Sequence, residues 1–307
     1  MCYSAEVEED WRKFLRVTGA DMSIKDFYNT YWKRRSGLPF RMPKMLDRWF
    51  TGAAGDEAAE IRKLIAEWNA AQIAQYQQQA FASRKRVADA ERALKAKPTK
   101  KAENDLRVGT NKLKQAMRKL DDLKRTEPES DDGRIFPGWY APVVIVENGK
   151  RIVKPMRYQC RPAGKPEFYD TKYPGTYNAR RDNLEGFWKG QFGHTHGLTL
   201  VRKFYENVDR DGKNAVLEFT PNNGEDMIVA CLYSHWLGKD GEDLWSFAAI
   251  TDEPPAEVAA AGHDRCIIPI KPEHMDAWLN PDPSNLAALY AILDDRVRPY
   301  YEHRLAA

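Results

Sequence analysis

Val143-Val144-Ile145-Val146-Glu147-Asn148-Gly149-Lys150-Arg151-Ile152-Val153 reads as two β-strands joined by a tight turn. β-Branched residues favour extended backbone, and Asn-Gly fits the two positive-φ positions of a two-residue hairpin turn. The stretch divides the chain by texture. After it, residues 215–219, 227–233, 244–251 and 266–270 read as strands. Residues 273–279 and 284–304 read as short helices, the first led in by Pro272. Before it, the chain reads as helical. This segregation predicts an α+β fold, mainly antiparallel in its second half, with peripheral helices.

Working back toward the N-terminus, Glu127 to Gly133 is an acidic linker containing Pro and Ser. Residues 56–126 differ in kind from their surroundings. From Asp56 to Lys97 there is no Pro or Gly, and Ile61, Leu64, Ile65, Trp68 and Tyr76 keep helical spacing. Ala80, Val87 and Leu94 then recur at seven residues, as do Leu106, Leu113 and Leu120 after Pro98-Thr99. The pattern predicts an antiparallel coiled-coil hairpin with Asp56 as its N-cap. Residues 84–125 hold fifteen Lys/Arg against six Asp/Glu, so this segment is +9 in a chain whose net charge is +3. A face this basic can track a phosphate backbone or simply be the solvated exterior of the hairpin, and no aromatics interleave with it. Residues 5–50 read as amphipathic helix, including a charged run from Ala5 to Arg16. Trp11, Phe14, Leu15, Phe27, Tyr31 and Trp32 are its buried candidates, and Met42, Met45, Leu46, Trp49 and Phe50 resume the apolar face after Gly37 and Pro39.

With 307 residues the chain can bury a sizeable core. The four cysteines, Cys2, Cys160, Cys231 and Cys266, lie far apart and form no Cys-x-x-Cys or Cys/His cluster, so neither a structural metal nor a cofactor is expected. Without a disulfide pattern, a reducing cytoplasm is the expected location, at the nucleoid if the chain is DNA-bound. No apolar leader and no run of ~18 apolar residues points to secretion or a membrane span.

Four short segments set ionisable residues beside apolar ones. They are Met1-Cys2-Tyr3-Ser4, Thr176-Tyr177-Asn178-Ala179-Arg180-Arg181-Asp182-Asn183, Val201-Arg202-Lys203-Phe204-Tyr205-Glu206-Asn207 and Gly262-His263-Asp264-Arg265-Cys266-Ile267-Ile268-Pro269. If Met1 is removed, Cys2 carries a thiol and a free amine on adjacent carbons. Such an aminothiol condenses with an aldehyde to an imine and closes a thiazolidine through sulfur. The amine titrates near ~7.7–8.0 and a free thiol near ~8.5, so both nucleophiles are partly available at neutral pH. A cysteine at position 2 is equally compatible with no function at all.

In order and spacing these segments resemble the SRAP family, the SOS response-associated peptidase proteins. That family begins Met-Cys-Gly-Arg or a variant, then carries Asn-Ala-Arg-x-Glu, Gly-Phe-Tyr-Glu-Trp and His-x-Arg-Met-Pro. Here Asn178-Ala179-Arg180-Arg181-Asp182 matches the second with Asp for Glu, and Phe204-Tyr205-Glu206 matches the third with Lys203 for Gly and Asn207 for Trp. His263-Asp264-Arg265-Cys266 matches the last with Cys for Met. Pro137 to Pro142 looks like the family's Arg-Tyr-Asn-x-x-Pro, and Lys154-Pro155-Met156-Arg157-Tyr158 like its Arg-Pro-Met-Arg-Trp. Residues 163–169 stand where the family has a Trp-rich loop. The resemblance covers about residues 1–20 and 135–280. It divides the chain into an SRAP-like domain of residues 1–55 and 127–307, with a barrel-like sheet, and an inserted helical hairpin at 56–126.

The resemblance implies binding to single-stranded DNA and a covalent thiazolidine link between Cys2 and an abasic site, which shields the lesion from strand cleavage. It assigns Glu206 to handling the Cys2 α-ammonium proton, His263 to opening the sugar and assisting water loss, and Asn178 to the sugar hydroxyl or the Cys2 backbone. Arg180 and Arg265, and with lower rank Arg181, would hold the flanking phosphates. It implies exposure of Cys2 by loss of Met1, through a housekeeping aminopeptidase or the protein's own thiol. The hairpin is left open as a surface for a replication or repair protein. Two other readings remain open from sequence. One is an N-terminal-nucleophile cysteine amidohydrolase, in which the same thiol attacks an amide carbonyl. The other is a non-catalytic adaptor that works through the helical hairpin.

Overall fold

The Asn148-Gly149 turn has φ of 53° and 75° at its two positions, the positive-φ pair that the sequence calls for. A computed structural model describes residues 3–210, 212–239 and 241–306. In chain order the elements begin with β1 (Ser4–Val7), α1 (Trp11–Thr18), β2 (Asp21–Met22), α2 (Ile24–Arg35) and α3 (Lys44–Trp49). Two long helices follow, α4 (Asp56–Ala96) and α5 (Lys100–Lys124). Then come β3 (Arg134–Ile135), β4 (Tyr140–Glu147), β5 (Lys150–Tyr158), α6 (Tyr169–Lys172) and β6 (Asn178–Arg180). The chain continues with β7 (His196–Arg210), β8 (Lys213–Pro221), β9 (Met227–Leu237), β10 (Asp243–Asp252), α7 (Ala256–Ala260) and β11 (Cys266–Ile267). It finishes with α8 (Met275–Leu279), α9 (Leu286–Asp294) and β12 (Tyr301–Leu305).

Five strands close on one another. β4 pairs with β5, β5 with β10, β10 with β9 and β9 with β7, and β7 returns to β4 through Leu198 opposite Val144. Only the β5–β10 contact in this circuit is parallel, so the barrel is mixed. Long strands such as β7 leave the circuit and carry β1, β8 and β12 as an extension. Residues on both faces of this sheet are buried: Val143, Val144, Val153, Met156, Leu198, Leu200 and Ile250 are each no more than 1% exposed. Each contributes roughly 1.5–3 kcal/mol by leaving water. The fold class is α+β, as the helix-then-strand pattern predicts.

Three local expectations change. Residues 4–7 form a strand, although the run from Ala5 to Arg16 reads as helical. They lie along β7, from Ser4 opposite Tyr205 to Val7 opposite Val201, and the sheet edge outweighs a weak local preference. The helix begins only at Trp11, where the Asp10 side chain accepts from the Arg12 and Lys13 N–H groups. Residues 284–304 are not one helix: α9 ends at Asp294, and β12 pairs with β8 beyond Pro299, which cannot continue a helix. Trp32, read as buried, is 52% exposed, because α2 turns Phe27 and Tyr31 inward instead.

α4 and α5 form the expected antiparallel pair, but of the predicted rows only Ala80 and Leu120 are buried in the seam. Its buried residues are Ala80, Ser83 and Ala90 on α4 and Ala102, Gly109, Ala116 and Leu120 on α5. Val87, Leu94, Leu106 and Leu113 flank it half-buried. Small side chains let the helix axes approach closely: a Cβ built on Gly109 would lie 3.0 Å from Val87 Cγ2. Gly55 occupies the N-cap position of α4, and Asp56 sits in the first turn. Ala58, Ile61, Leu64 and Ile65 join the main core, whereas the seam residues farther along the hairpin do not. Among the described residues, no helix is long and apolar enough to cross a membrane.

Candidate functional site

Along β7, Phe204, Glu206 and Val208 alternate onto the face that meets Phe219, Leu217 and Ala215 of β8. Glu206 is therefore a carboxyl on an apolar row, and it is 0% exposed. Burying a charge there is costly without a partner. Among the described residues its partner is His263, whose Nε2 lies 3.0 Å from Glu206 Oε2. His263 sits in the turn between α7 and β11. Gly262 takes φ 99° in that turn, a left-handed backbone that a side chain would strain. His263 Nδ1 is 3.0 Å from the Arg265 carbonyl oxygen and 3.3 Å from the Arg265 N–H nitrogen. The shorter contact has Nδ1–H donating to the carbonyl and the longer has Nδ1 accepting from the N–H, so the tautomer decides which one forms. Burial pushes the imidazole down to about 4.

The start of the chain is fastened beside this pair. The Tyr3 N–H donates to the Tyr205 carbonyl at 3.3 Å, and Ser4 lies opposite Tyr205. On the face of β7 away from Glu206, the Arg134 guanidinium lies 3.6 Å over the Tyr205 ring, and its Nε donates to Ser4 Oγ at 3.1 Å. Tyr205 OH donates to Glu6 at 3.1 Å, and Lys203 bridges Glu6 at 3.0 Å and Glu218 at 3.3 Å. Burial raises the Glu6 carboxyl, against the lowering effect of Lys203 and Tyr205. Cys2 itself lies outside the described residues.

The three described thiols belong to Cys160, Cys231 and Cys266, and all are buried. Burial pushes Cys160 up to about 12 and raises the other two further. None is a thiolate at neutral pH, so none serves as a nucleophile.

β6 runs parallel to β10, with Asn178 opposite Ala249 and Arg180 opposite Thr251. Asn178 is buried, and its side-chain oxygen accepts from Tyr158 OH at 3.4 Å. Asp182 joins two of the expected arginines: it lies 2.6 Å from Arg180 and 3.5 Å from Arg265. Arg181 turns elsewhere, to Asp252 at 3.1 Å and Asp294 at 2.5 Å. Among the described residues, the direct contacts that unite the expected site residues are thus Glu206 with His263, and Asp182 between Arg180 and Arg265.

Sequence reading missed three participants. Arg134 carries no motif. In the sequence Lys203 reads only as a departure from the family glycine, and Asp182 only as a replacement for its glutamate. It also missed an aromatic ladder beside β6. Phe168, Tyr169, Tyr173, Phe187 and Trp188 follow one another with ring centroids 5.4, 4.8, 5.9 and 5.0 Å apart. Phe168 is 55% exposed, and Lys172 lies 5.3 Å from the Tyr173 ring. The signal was the aromatic content of 168–188, but the rings come from separate segments that only the fold unites.

Comparison with known proteins bears on this arrangement. None of the curated proteins matches the chain significantly. A solved structure from Bordetella bronchiseptica is similar at 16% identity over 62% of this chain and 95% of its own, with a TM-score of 0.48. One from Bacteroides thetaiotaomicron matches at 15% identity over 57% and 78%, also with a TM-score of 0.48. A phage-related protein of B. bronchiseptica matches at 18% identity over 57% and 81%, with a TM-score of 0.43. These likenesses are too distant to bear on the site. The family model of SOS response associated peptidase (SRAP) matches residues 100–305, which include Asn178, Glu206 and His263. That match covers about two thirds of the chain, and the protein belongs to the SRAP family.

Proposed function

We propose that this chain, once Met1 is lost, links Cys2 covalently to abasic sites in single-stranded DNA. Family membership associates it with the SOS response and with DNA. The covalent step is our reading. In it the Cys2 amine attacks the open-chain aldehyde of the abasic sugar, and loss of one water leaves an imine. The thiol then adds across the C=N bond, sulfur to carbon and its proton to nitrogen, which closes the ring. The thiazolidine removes the aldehyde, and with it the β-elimination that would break the strand.

The observation that carries this reading is the buried Glu206–His263 pair, whose carboxyl stands on the strand that holds Tyr3. A carboxylate beside a neutral imidazole can take a proton from the α-ammonium, which frees the amine, and deliver it to the departing hydroxyl, which leaves as water. The inert state of the other three thiols supports Cys2 as the nucleophile. Arg180 and Arg265, held by Asp182, are suited to flanking phosphates, and the aromatic ladder to unstacked bases. Asn178 is suited to a sugar hydroxyl without itself titrating. We take residues 1–55 and 127–307 as the domain that performs this chemistry and 56–126 as an insertion in it.

The test mixes Met1-processed protein with a single strand carrying one abasic site and looks for a denaturation-resistant adduct. Cys2→Ala should abolish it, and Cys2→Ser should prevent the stable ring. A heat-stable adduct from Cys2→Ala would sink the proposal. Turnover of glutamine without any DNA adduct would transfer the same nucleophile to an amidohydrolase.

A further inference from the structure

The outer face of α5 has no task in that chemistry. Its seam residues Ala102, Gly109 and Ala116 face α4. Lys100, Arg107 and Lys114 each stand two residues before one of them, and Arg118 stands two after Ala116. At about 100° per residue this places all four roughly opposite the seam. All four are exposed. Among the described residues none of them is in an ion pair, and Arg107 bonds only Asn104. Lys101, Lys112 and Lys119 form a second exposed row on one flank. The stretch carries two acids: Arg86 holds Asp105 at 2.5 Å, and Glu103 lies on the other flank.

Seven residues of helix advance about 10 Å, so the ridge from Lys100 to Arg118 runs roughly 27 Å. That length matches about eight base pairs of duplex at ~3.4 Å each. Unpaired cations arranged this way repel one another, and a polyanion relieves the repulsion by releasing its own counterions. No aromatic residue lies between Arg84 and Arg125, so the ridge has nothing on which to stack separated bases. A contact made only to phosphates is served best by the strand form with the densest charge.

We infer that the Lys100–Arg107–Lys114–Arg118 ridge binds the phosphate backbone of double-stranded DNA, without sequence preference. The inference is independent of the covalent chemistry, because its probe carries no lesion. A fluorescent 20-base-pair duplex without an abasic site is titrated with the full chain over a range of salt. The comparison is a variant with Lys100→Gln, Arg107→Gln, Lys114→Gln and Arg118→Gln. The wild-type log affinity should fall with log salt, and the variant should lose about 3.6 from that slope, at ~0.9 per phosphate contact. At 100 mM salt its affinity should drop at least tenfold. A pair variant, Lys114→Gln with Arg118→Gln, should lose about half as much and keeps the test open if the fourfold change disturbs the helix. Unchanged slope in both variants, or equal affinity for polyglutamate and for duplex, overturns the inference; the latter would point to an acidic protein instead.

Discussion

His263 Nε2 lies 3.0 Å from Oε2 of Glu206, a carboxyl with no exposure to solvent on the apolar face of β7. Burial holds the His263 imidazole below its ordinary range, and in the proposed chemistry this pair moves protons to and from the Cys2 amine. Glu206→Gln keeps the shape and removes the exchange. Adduct formation on an abasic strand should slow by about 100-fold, the lower range for loss of a general base. Single-turnover kinetics will show it, and a rate within threefold of wild type would rule the role out.

Arg134 acts through other groups. Its guanidinium covers Tyr205 and bonds Ser4, which holds β1 against β7. Arg134→Ala should lower stability by about 1–2 kcal/mol through loss of a desolvated cation–π contact and a hydrogen bond. It should also slow adduct formation without changing its pH profile. Arg134→Lys keeps the charge but not the planar stack, so it should restore only part of either loss.

The arginines separate into two groups. Arg180→Ala and Arg265→Ala should each weaken binding to an undamaged single strand about five- to tenfold and flatten its salt dependence. Arg181→Ala should act on stability, since its guanidinium is engaged by Asp252 and Asp294. Anisotropy titrations set beside urea unfolding decide the division. Equal DNA effects of all three substitutions would refute it.

Thiol titration offers a direct count. Of four cysteines, Cys160, Cys231 and Cys266 are buried with raised thiols. A small disulfide reagent should therefore modify one thiol quickly in the native protein and four after denaturation. Cys2→Ala should remove the fast phase. A fast phase that survives it would assign the reactive thiol to the core.

Stability should fall on acidification below neutrality. His196 Nε2 accepts the Gly193 N–H at 2.8 Å, so Nδ1–H donates to the Trp278 carbonyl at 3.1 Å, and the ring is neutral. Burial lowers it to about 3. Above its unfolded value near ~6.5 both states are deprotonated, and the full stability is present. Below that value the unfolded chain takes up the proton first, and stability falls by about 1.4 kcal/mol per unit until pH approaches 3. Urea midpoints at pH 7.5 and 5.5 measure this slope together with the like contribution of His263, whose imidazole burial also lowers, and His196→Gln should remove only its own share.

Residue order by itself determined the elements whose signals are local. Asn148-Gly149 dictates its turn because few other residues tolerate two positive φ angles in succession. The long uninterrupted run after Asp56 dictates a helix, and Pro98 its end. The motifs around Asn178, Glu206 and His263 are legible because they are short and contiguous. Tertiary structure decided the rest. Residues 4–7 became a strand because β7 offered an edge, and no local pattern records that edge. The hairpin seam kept Ala80 and Leu120 of the predicted rows but otherwise fell on Ala90, Gly109 and Ala116 rather than on the leucines, because close approach of two helices favours small side chains. Glu206 acquired its meaning only when the His263 turn folded over β7. A carboxyl's protonation depends on what surrounds it in space, and its neighbours in sequence, Tyr205 and Asn207, point to the other face of the strand.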